Sequence, residues 1–213
     1  MADQLTENPA ESLAQLRVLG IPLKVLEDSL MDGHHGRASC SPLHPRWFGG
    51  SHQHADTVQG LRLRLIQEKW APSEKRGFAT VVSPDGSFQL AVSSGDHNVG
   101  KDGSPRTKNR RGAATASAIE KNGEQRGLFA ALLDVLPPRR RIKPTGMTTW
   151  FLLYRQTRKE IWFEVSLPMS VDGKGRPNAW ERRLKFVPIN LSAPPSSAPP
   201  SNPTKHEVEV SRR

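Results

Sequence analysis

Hydrophobic residues recur at helical spacing in the N-terminal third of the chain. The leucines of residues 13–19 predict a short amphipathic helix that Gly20 ends, and those of residues 23–30 predict a second helix that Gly33 ends. In a helix-turn-helix, the second helix would have to approach phosphates, but it carries more acidic than basic side chains. A packing hairpin of helices is therefore predicted.

Residues 33–54 are rich in Gly, Pro, Ser and His, which predicts a loop. Apolar residues then return at helical spacing, and Asp56 or Thr57 provides a start signal. This pattern predicts a third helix that ends near Trp70.

The hydrophobic period changes from helical to strand-like after the third helix. In FATVVSPDGSFQLAVSSGD, β-forming residues flank Ser83-Pro84-Asp85-Gly86, which predicts a hairpin. TTWFLLYRQTRKEIWFEVSLP predicts a second hairpin, and residues 182–187 predict an edge strand. Between the hairpins, a helix is predicted from Thr115 or Ser117 to Leu136.

These elements predict one α+β domain over residues 11–191, in which N-terminal helices pack on an antiparallel sheet of four or five strands with one inserted helix. Residues 1–10 are expected to be disordered. Residues 192–213 form a Pro- and Ser-rich stretch that is also expected to be disordered, because it has too little apolar surface to offset the entropy of ordering.

The distribution of apolar residues and cysteine bears on location. No apolar run approaches the roughly 20 residues that cross a bilayer, and the first residues do not resemble a signal peptide. Cys40 is the one cysteine and cannot form an internal disulfide, which fits a reducing compartment. The expectation is a cytoplasmic protein without a membrane partner.

Positive charge is concentrated in the second half of the chain. Of the 31 Lys and Arg residues, 19 lie between Lys101 and Lys185, together with only 8 of the 21 Asp and Glu residues. Concentrated positive charge attracts polyanions, so DNA or RNA is the leading partner class.

The segment SSGDHNVGKDGSPRTKNRRGAAT spans residues 93–115 and approximates a nucleotide-binding P-loop. Asp102 stands where a P-loop needs Ser or Thr, and Gly103 and Pro105 prevent a helix from starting on time. Nucleotide hydrolysis is therefore not predicted, and no cofactor is expected. The cations of this loop lead into the predicted helix start near Thr115, an arrangement that suits phosphate.

Three basic clusters are candidates for contact with a nucleic-acid backbone. The first lies in the 93–115 segment, the second follows the inserted helix, and the third surrounds the turn of the second hairpin. Their members are Lys101, Arg106, Lys108, Arg110 and Arg111; Arg139, Arg140, Arg141 and Lys143; and Arg155, Arg158 and Lys159. Trp162 or Tyr154 could add a stacking surface, although most aromatic residues in strands belong to the core.

Candidate metal and catalytic residues give weaker patterns. Five histidines and Cys40 fall within residues 34–54, but their spacing only approximates that of zinc ligands, so no metal site is predicted. The carboxylates near predicted strand ends are Asp85, Asp96, Glu160 and Glu164, and they lack the pattern of a metal-dependent nuclease. No catalytic residue is assigned.

VVSPDGSFQLAVSSGD, PRTKNRRGAATASAIEKN and WFLLYRQTRKEIWFEVSLP together resemble a family of small, uncharacterised bacterial proteins associated with plasmids and integrative mobile elements. The resemblance covers residues 13–191. It implies a cytoplasmic bacterial protein acting near mobile DNA, and it carries over no activity and no catalytic residues.

The function expected from the sequence is that of a non-catalytic nucleic-acid-binding accessory protein that uses a basic loop and a helix start to contact phosphates. Two alternatives stay open. One is a protein-interaction module for an acidic partner from a mobile element, phage or host. The other is a divalent-metal-dependent phosphodiesterase or nuclease.

Overall fold

Four helices and seven strands make up the computed structural model, which describes residues 8–108, 112–135, 146–173 and 175–192. In chain order they are α1 (Pro9–Val18), α2 (Leu23–Ala38), α3 (Phe48–Gln67), β1 (Ala71–Lys75), β2 (Phe78–Val82), β3 (Phe88–Ser94), α4 (Ala113–Val135), β4 (Thr148–Gln156), β5 (Glu160–Val171), β6 (Pro177–Lys185) and β7 (Ile189–Asn190). The predicted α+β class is confirmed.

The predicted loop over residues 33–54 is largely helical, because α2 continues past Gly33 and α3 begins well before Asp56. The glycines that suggested a loop allow α2 and α3 to approach closely. A Cβ atom on Gly33 would overlap the Thr57 side chain, and one on Gly36 would overlap the Asp56 carboxylate. Close packing of the two helices therefore explains the composition of this segment.

One mixed sheet contains all seven strands, in the order β1-β2-β3-β4-β5-β6, with β7 paired to β5. Both predicted hairpins are present as β2–β3 and β4–β5. The sheet is not uniformly antiparallel, because α4 carries the chain back so that β4 runs parallel to β3. The sequence patterns did not predict strands β1 and β7, because β1 is a polar edge strand and β7 has only two residues.

The two faces of the sheet carry different cores. Leu90, Leu152 and Phe163 pack in the larger core with the helices α1, α2 and α3, as predicted for N-terminal helices on a sheet. Phe151 and Leu153 point to the opposite face, which α4 covers. The alternation along β4 follows from the two-residue period of a strand.

Helix α4 runs through Gly123 without ending there. A Cβ atom on Gly123 would lie 2.7 Å from the Met169 carbonyl oxygen, so glycine permits a close approach of α4 to β5. Next to it, the buried Asn122 side chain donates to the carbonyls of Thr149 and Pro168 and accepts from the Thr149 amide. These contacts fix α4 across the β4–β5 pair. Of the ends expected to be disordered, residues 1–10 and 192–213, the stretches 1–7 and 193–213 lie outside the described residues, whereas Pro9 and Ala10 belong to α1.

Candidate nucleic-acid interface

A cleft of about 980 Å³ opens at the carboxyl ends of the parallel strands β3 and β4. Ser94 ends β3 there, and Tyr154, Arg155 and Gln156 end β4. The start of α3 and the segment before it form the facing wall. We call this space the basic cleft because of the residues that line it.

Six cationic side chains line the basic cleft, together with one carboxylate, that of Asp96. The cations are Arg37, Arg46, Arg106, Lys108, Arg155 and Arg176. None of the six forms an ion pair with a carboxylate among residues 8–108, 112–135, 146–173 and 175–192. Like charges that share a cleft without neutralising partners raise the local concentration of anions.

The cations come from separate parts of the chain. Arg37 is in the last turn of α2, Arg46 precedes α3, and Arg155 ends β4. Arg176 lies between β5 and β6. The pairing of these two strands is irregular over residues 167–171, and such irregularities bend a hairpin. The Arg176 Nε atom is buried and has no hydrogen-bond partner in the described part of the chain.

Backbone hydrogen bonds hold Arg106 and Lys108 at the end of β3. The amide of Asp96 donates to the Arg106 carbonyl at 2.9 Å, and the amide of Lys108 donates to the Ser94 carbonyl at 3.0 Å. Gly95 and Thr107 form a bridge between these two bonds. These bonds close residues 95–108 into a loop, here called the 95–108 loop. Arg106 and Lys108, at its C-terminal end, line the cleft.

A chain of side-chain hydrogen bonds runs along the floor of the cleft. Gln53 is buried, donates from Nε2 to Gln156 Oε1 at 2.6 Å, and accepts from Arg37 Nη1 at 3.4 Å. Gln156 in turn pairs with His34 Nδ1 at 2.9 Å. This network joins α2, α3 and β4, and it positions the Arg37 guanidinium.

The facing wall is the N-terminal end of α3. Trp47 occupies the N-cap position without a side-chain cap, and Gly50 and Ser51 line the cleft. The positive end of a helix dipole and its first amides favour an anion at such a position. Described residues of α4 do not line the cleft, so the helix start that borders it is that of α3.

The outer part of the 95–108 loop is tied to the sheet instead of holding a phosphate. The Gly100 amide donates to Glu164 Oε2 at 2.7 Å, and Asp102 pairs with Lys185 at 2.9 Å. The hydrogen bond and charge of Lys185 lower the pKa of Asp102 below its usual value. The Glu164 carboxylate thus accepts a hydrogen bond from an amide that a P-loop would offer to a nucleotide.

The aromatic candidates in the sheet have other contacts. Tyr154 is buried, and the Lys101 ammonium lies 5.0 Å from the centre of the Trp162 ring in a cation–π contact. Arg155 and Trp162 are direct partners on β4 and β5, so Lys101 and Trp162 lie beside the cleft on the same face of the sheet.

The structure brings three of the predicted backbone contacts together in the cleft: Arg106, Lys108 and Arg155. Lys101 does not line it, and neither do Arg158 and Lys159, which are exposed in the turn between β4 and β5. The remaining predicted residues, Arg110, Arg111, Arg139, Arg140, Arg141 and Lys143, lie outside the described residues.

Sequence reasoning missed Arg37, Arg46 and Trp47, which fall in the segment predicted to be a loop, and a helical period through Arg37 was the available signal. Arg176 belongs to a basic stretch, residues 174–185, that is visible in the sequence but was not assigned to the site. Within residues 33–54, Cys40 Sγ lies 3.5 Å from His52 Nδ1. No group of three or more His, Cys, Asp or Glu residues suited to a metal occurs in the described ranges.

No family model, curated protein or solved structure matches the chain. The described helices include none long and apolar enough to cross a bilayer.

Proposed function

We propose that the protein binds the phosphodiester backbone of a nucleic acid in the basic cleft, as a non-catalytic accessory protein. The observation that carries this proposal is the convergence of six cations from five stretches of the chain around one cleft that contains a single carboxylate. Contacts to phosphates position a protein on a nucleic acid without reading its sequence. The proposal therefore names a polymer class and no base sequence.

The cleft also has features that distinguish it from a generally cationic surface. Arg37 Nη1 donates to Gln53 Oε1, and a side chain that is already held loses less entropy on binding than a free one. Backbone hydrogen bonds fix the main-chain positions of Arg106 and Lys108 at the cleft. By contrast, the surface cations Lys24 and Arg64 already pair with Asp28 and Asp32.

The roles of two candidate carboxylates favour binding over catalysis. Glu164 is fully buried and pairs with Arg183, while Asp85 accepts hydrogen bonds from Ser83 and Ser87 within its turn. Each group already has a structural role that its substitution would disturb.

Fluorescence anisotropy with a labelled twelve-nucleotide thymidine strand tests the proposal at about 50 mM salt. The Arg106→Ala/Lys108→Ala/Arg155→Ala variant is expected to bind on the order of 100-fold more weakly, because three counterion-releasing contacts are lost. A matched control, Arg17→Ala/Lys75→Ala/Lys121→Ala, removes the same charge from exposed positions that do not line the cleft. It is expected to bind nearly as well as the native chain.

Two outcomes would overturn the proposal. One is equal loss of affinity in the cleft variant and the control variant, which would indicate only a general charge effect. The other is the absence of oligonucleotide binding while a poly-glutamate peptide binds, which would favour an acidic protein partner.

A further inference from the structure

We infer that the nucleic acid held in the basic cleft is single-stranded, with an unpaired base stacked on Trp47. This inference rests on the proposed function. Trp47 lines the cleft together with the six cations, and 68% of its surface is exposed. It is the only aromatic side chain among the large exposed hydrophobic residues of the described chain.

Neighbouring aromatic rings fix the position of Trp47. The Phe48 ring stacks on the His44 ring at 4.6 Å with an interplanar angle of 8°. Trp47 meets Phe48 edge to face, at 6.1 Å and 70°. The indole therefore contacts one neighbouring ring while most of its surface faces solvent, which leaves area for a stacked base.

The turn that presents Trp47 is also ordered by polar contacts. The Ser41 amide donates to His44 Nδ1 at 3.0 Å, and the Phe48 amide donates to the Pro45 carbonyl at 2.9 Å. Arg46 directly precedes Trp47 and lines the same cleft. A cation beside an exposed ring is the combination that binds a phosphate and its adjacent base in one strand.

An exposed indole distinguishes single strands from duplexes. In a duplex the faces of the bases are covered by neighbouring base pairs, and only their edges are accessible in the grooves. An unpaired base can place its face on the indole while the flanking phosphates meet Arg37, Arg46 and Arg106. Of the other large rings at or beside the cleft, Tyr154 is buried and Trp162 already lies under Lys101.

The test compares three probes of equal length: a thymidine strand, the corresponding duplex, and a strand of abasic nucleotides that keeps the phosphates. The native protein is expected to prefer the thymidine strand to both other probes. Trp47→Ala is expected to weaken binding to the thymidine strand roughly 5- to 150-fold, which corresponds to the loss of one stacked base. The same variant is expected to bind the abasic strand as the native protein does.

Controls separate stacking from folding and from charge. Trp47→Phe keeps an aromatic face and is expected to recover most of the affinity. Leu43→Ala truncates another exposed apolar side chain, 95% exposed and outside the cleft lining, and is expected to change nothing. The salt dependence of binding should be the same in Trp47→Ala and the native chain, because no phosphate contact is removed.

The inference is overturned if Trp47→Ala binds the thymidine strand as tightly as the native protein, or if the duplex binds at least as well as the strand. If the affinity for the probes still falls steeply with salt in either case, the proposal that the cleft binds the phosphate backbone is retained. If none of the three probes binds at low salt, the proposed function fails as well.

Discussion

Glu164 and Arg183 are both buried and meet through two hydrogen bonds, of which the shorter joins Glu164 Oε2 to Arg183 Nη2 at 2.6 Å. The same guanidinium donates to the carbonyls of Asn98, Lys101 and Gly103. The pair therefore connects β5 and β6 to the 95–108 loop, whose C-terminal end carries Arg106 and Lys108. The Glu164 side chain is 0% exposed and the Arg183 side chain is 6% exposed, so water cannot solvate either charge if the other is removed.

Glu164→Gln is expected to destabilise the protein by about 3–5 kcal/mol, because it leaves the Arg183 charge buried without a counter-charge. Urea unfolding followed by circular dichroism measures this change. Asp28→Asn provides a surface control, since its partner Lys24 is 77% exposed and stays solvated when the pair is broken, so this substitution should matter much less. Equal effects of the two substitutions would contradict the role given to the buried pair.

Gly33→Ala is expected to lower the free energy of unfolding by about 1–3 kcal/mol, because the new methyl group would overlap Thr57 and lie 2.6 Å from the Gln53 carbonyl oxygen. The two helices must separate to admit it. Gly50→Ala is the control within α3, where no heavy atom lies within 4 Å of the added carbon. It should stabilise the helix by up to about 1 kcal/mol, and thermal unfolding of both variants gives the comparison. A neutral Gly33→Ala would mean that the helices are not in close contact there.

The turn between β2 and β3 predicts a specific dependence on pH. Hydrogen bonds from Ser83 and Ser87 lower the pKa of Asp85 from its ordinary 3.8 to about 2. A lowered pKa in the folded state means that Asp85 stabilises the fold above its unfolded pKa and loses this effect as the pH falls through about 2. Carbon-detected NMR titration of the carboxyl group should give a midpoint near 2.

Asp85→Asn checks the same point through stability. The difference in melting temperature between the native chain and this variant should be present at about pH 5 and should shrink as the pH approaches 2. A difference that stays constant over this range would show that the charge of Asp85 has no part in the turn.

Local patterns in the sequence were enough to predict much of the fold. The Ser83–Gly86 turn predicted the first hairpin, the apolar and alternating runs in residues 148–168 predicted the second, and the leucine spacing predicted the first two helices. The parallel pairing of β3 with β4 was not predicted, because it depends on where α4 returns the chain. Glycines that pack two helices together resemble glycines that form a loop, which explains the wrong prediction for residues 33–54.

The candidate site was only partly accessible from the sequence for a similar reason. Arg106, Lys108 and Arg155 belong to basic clusters that are visible locally. Arg37 and Arg46 are nine positions apart in residues 33–54 and form no local basic cluster, and they join the others only through the packing of α2 and α3 against the sheet. Charge density along a chain identifies a partner class, whereas the shape of the cleft requires long-range contacts.

The most direct test of the account is the salt dependence of oligonucleotide binding in single variants from three separate elements: Arg37→Ala in α2, Arg106→Ala in the 95–108 loop and Arg155→Ala in β4. If all three cations contact one strand, each variant should reduce the slope of log K against log salt by about 0.7, and the three reductions should add in the triple variant. Slopes equal to that of the native protein, or a reduction in only one of the three variants, would contradict a shared cleft for the backbone.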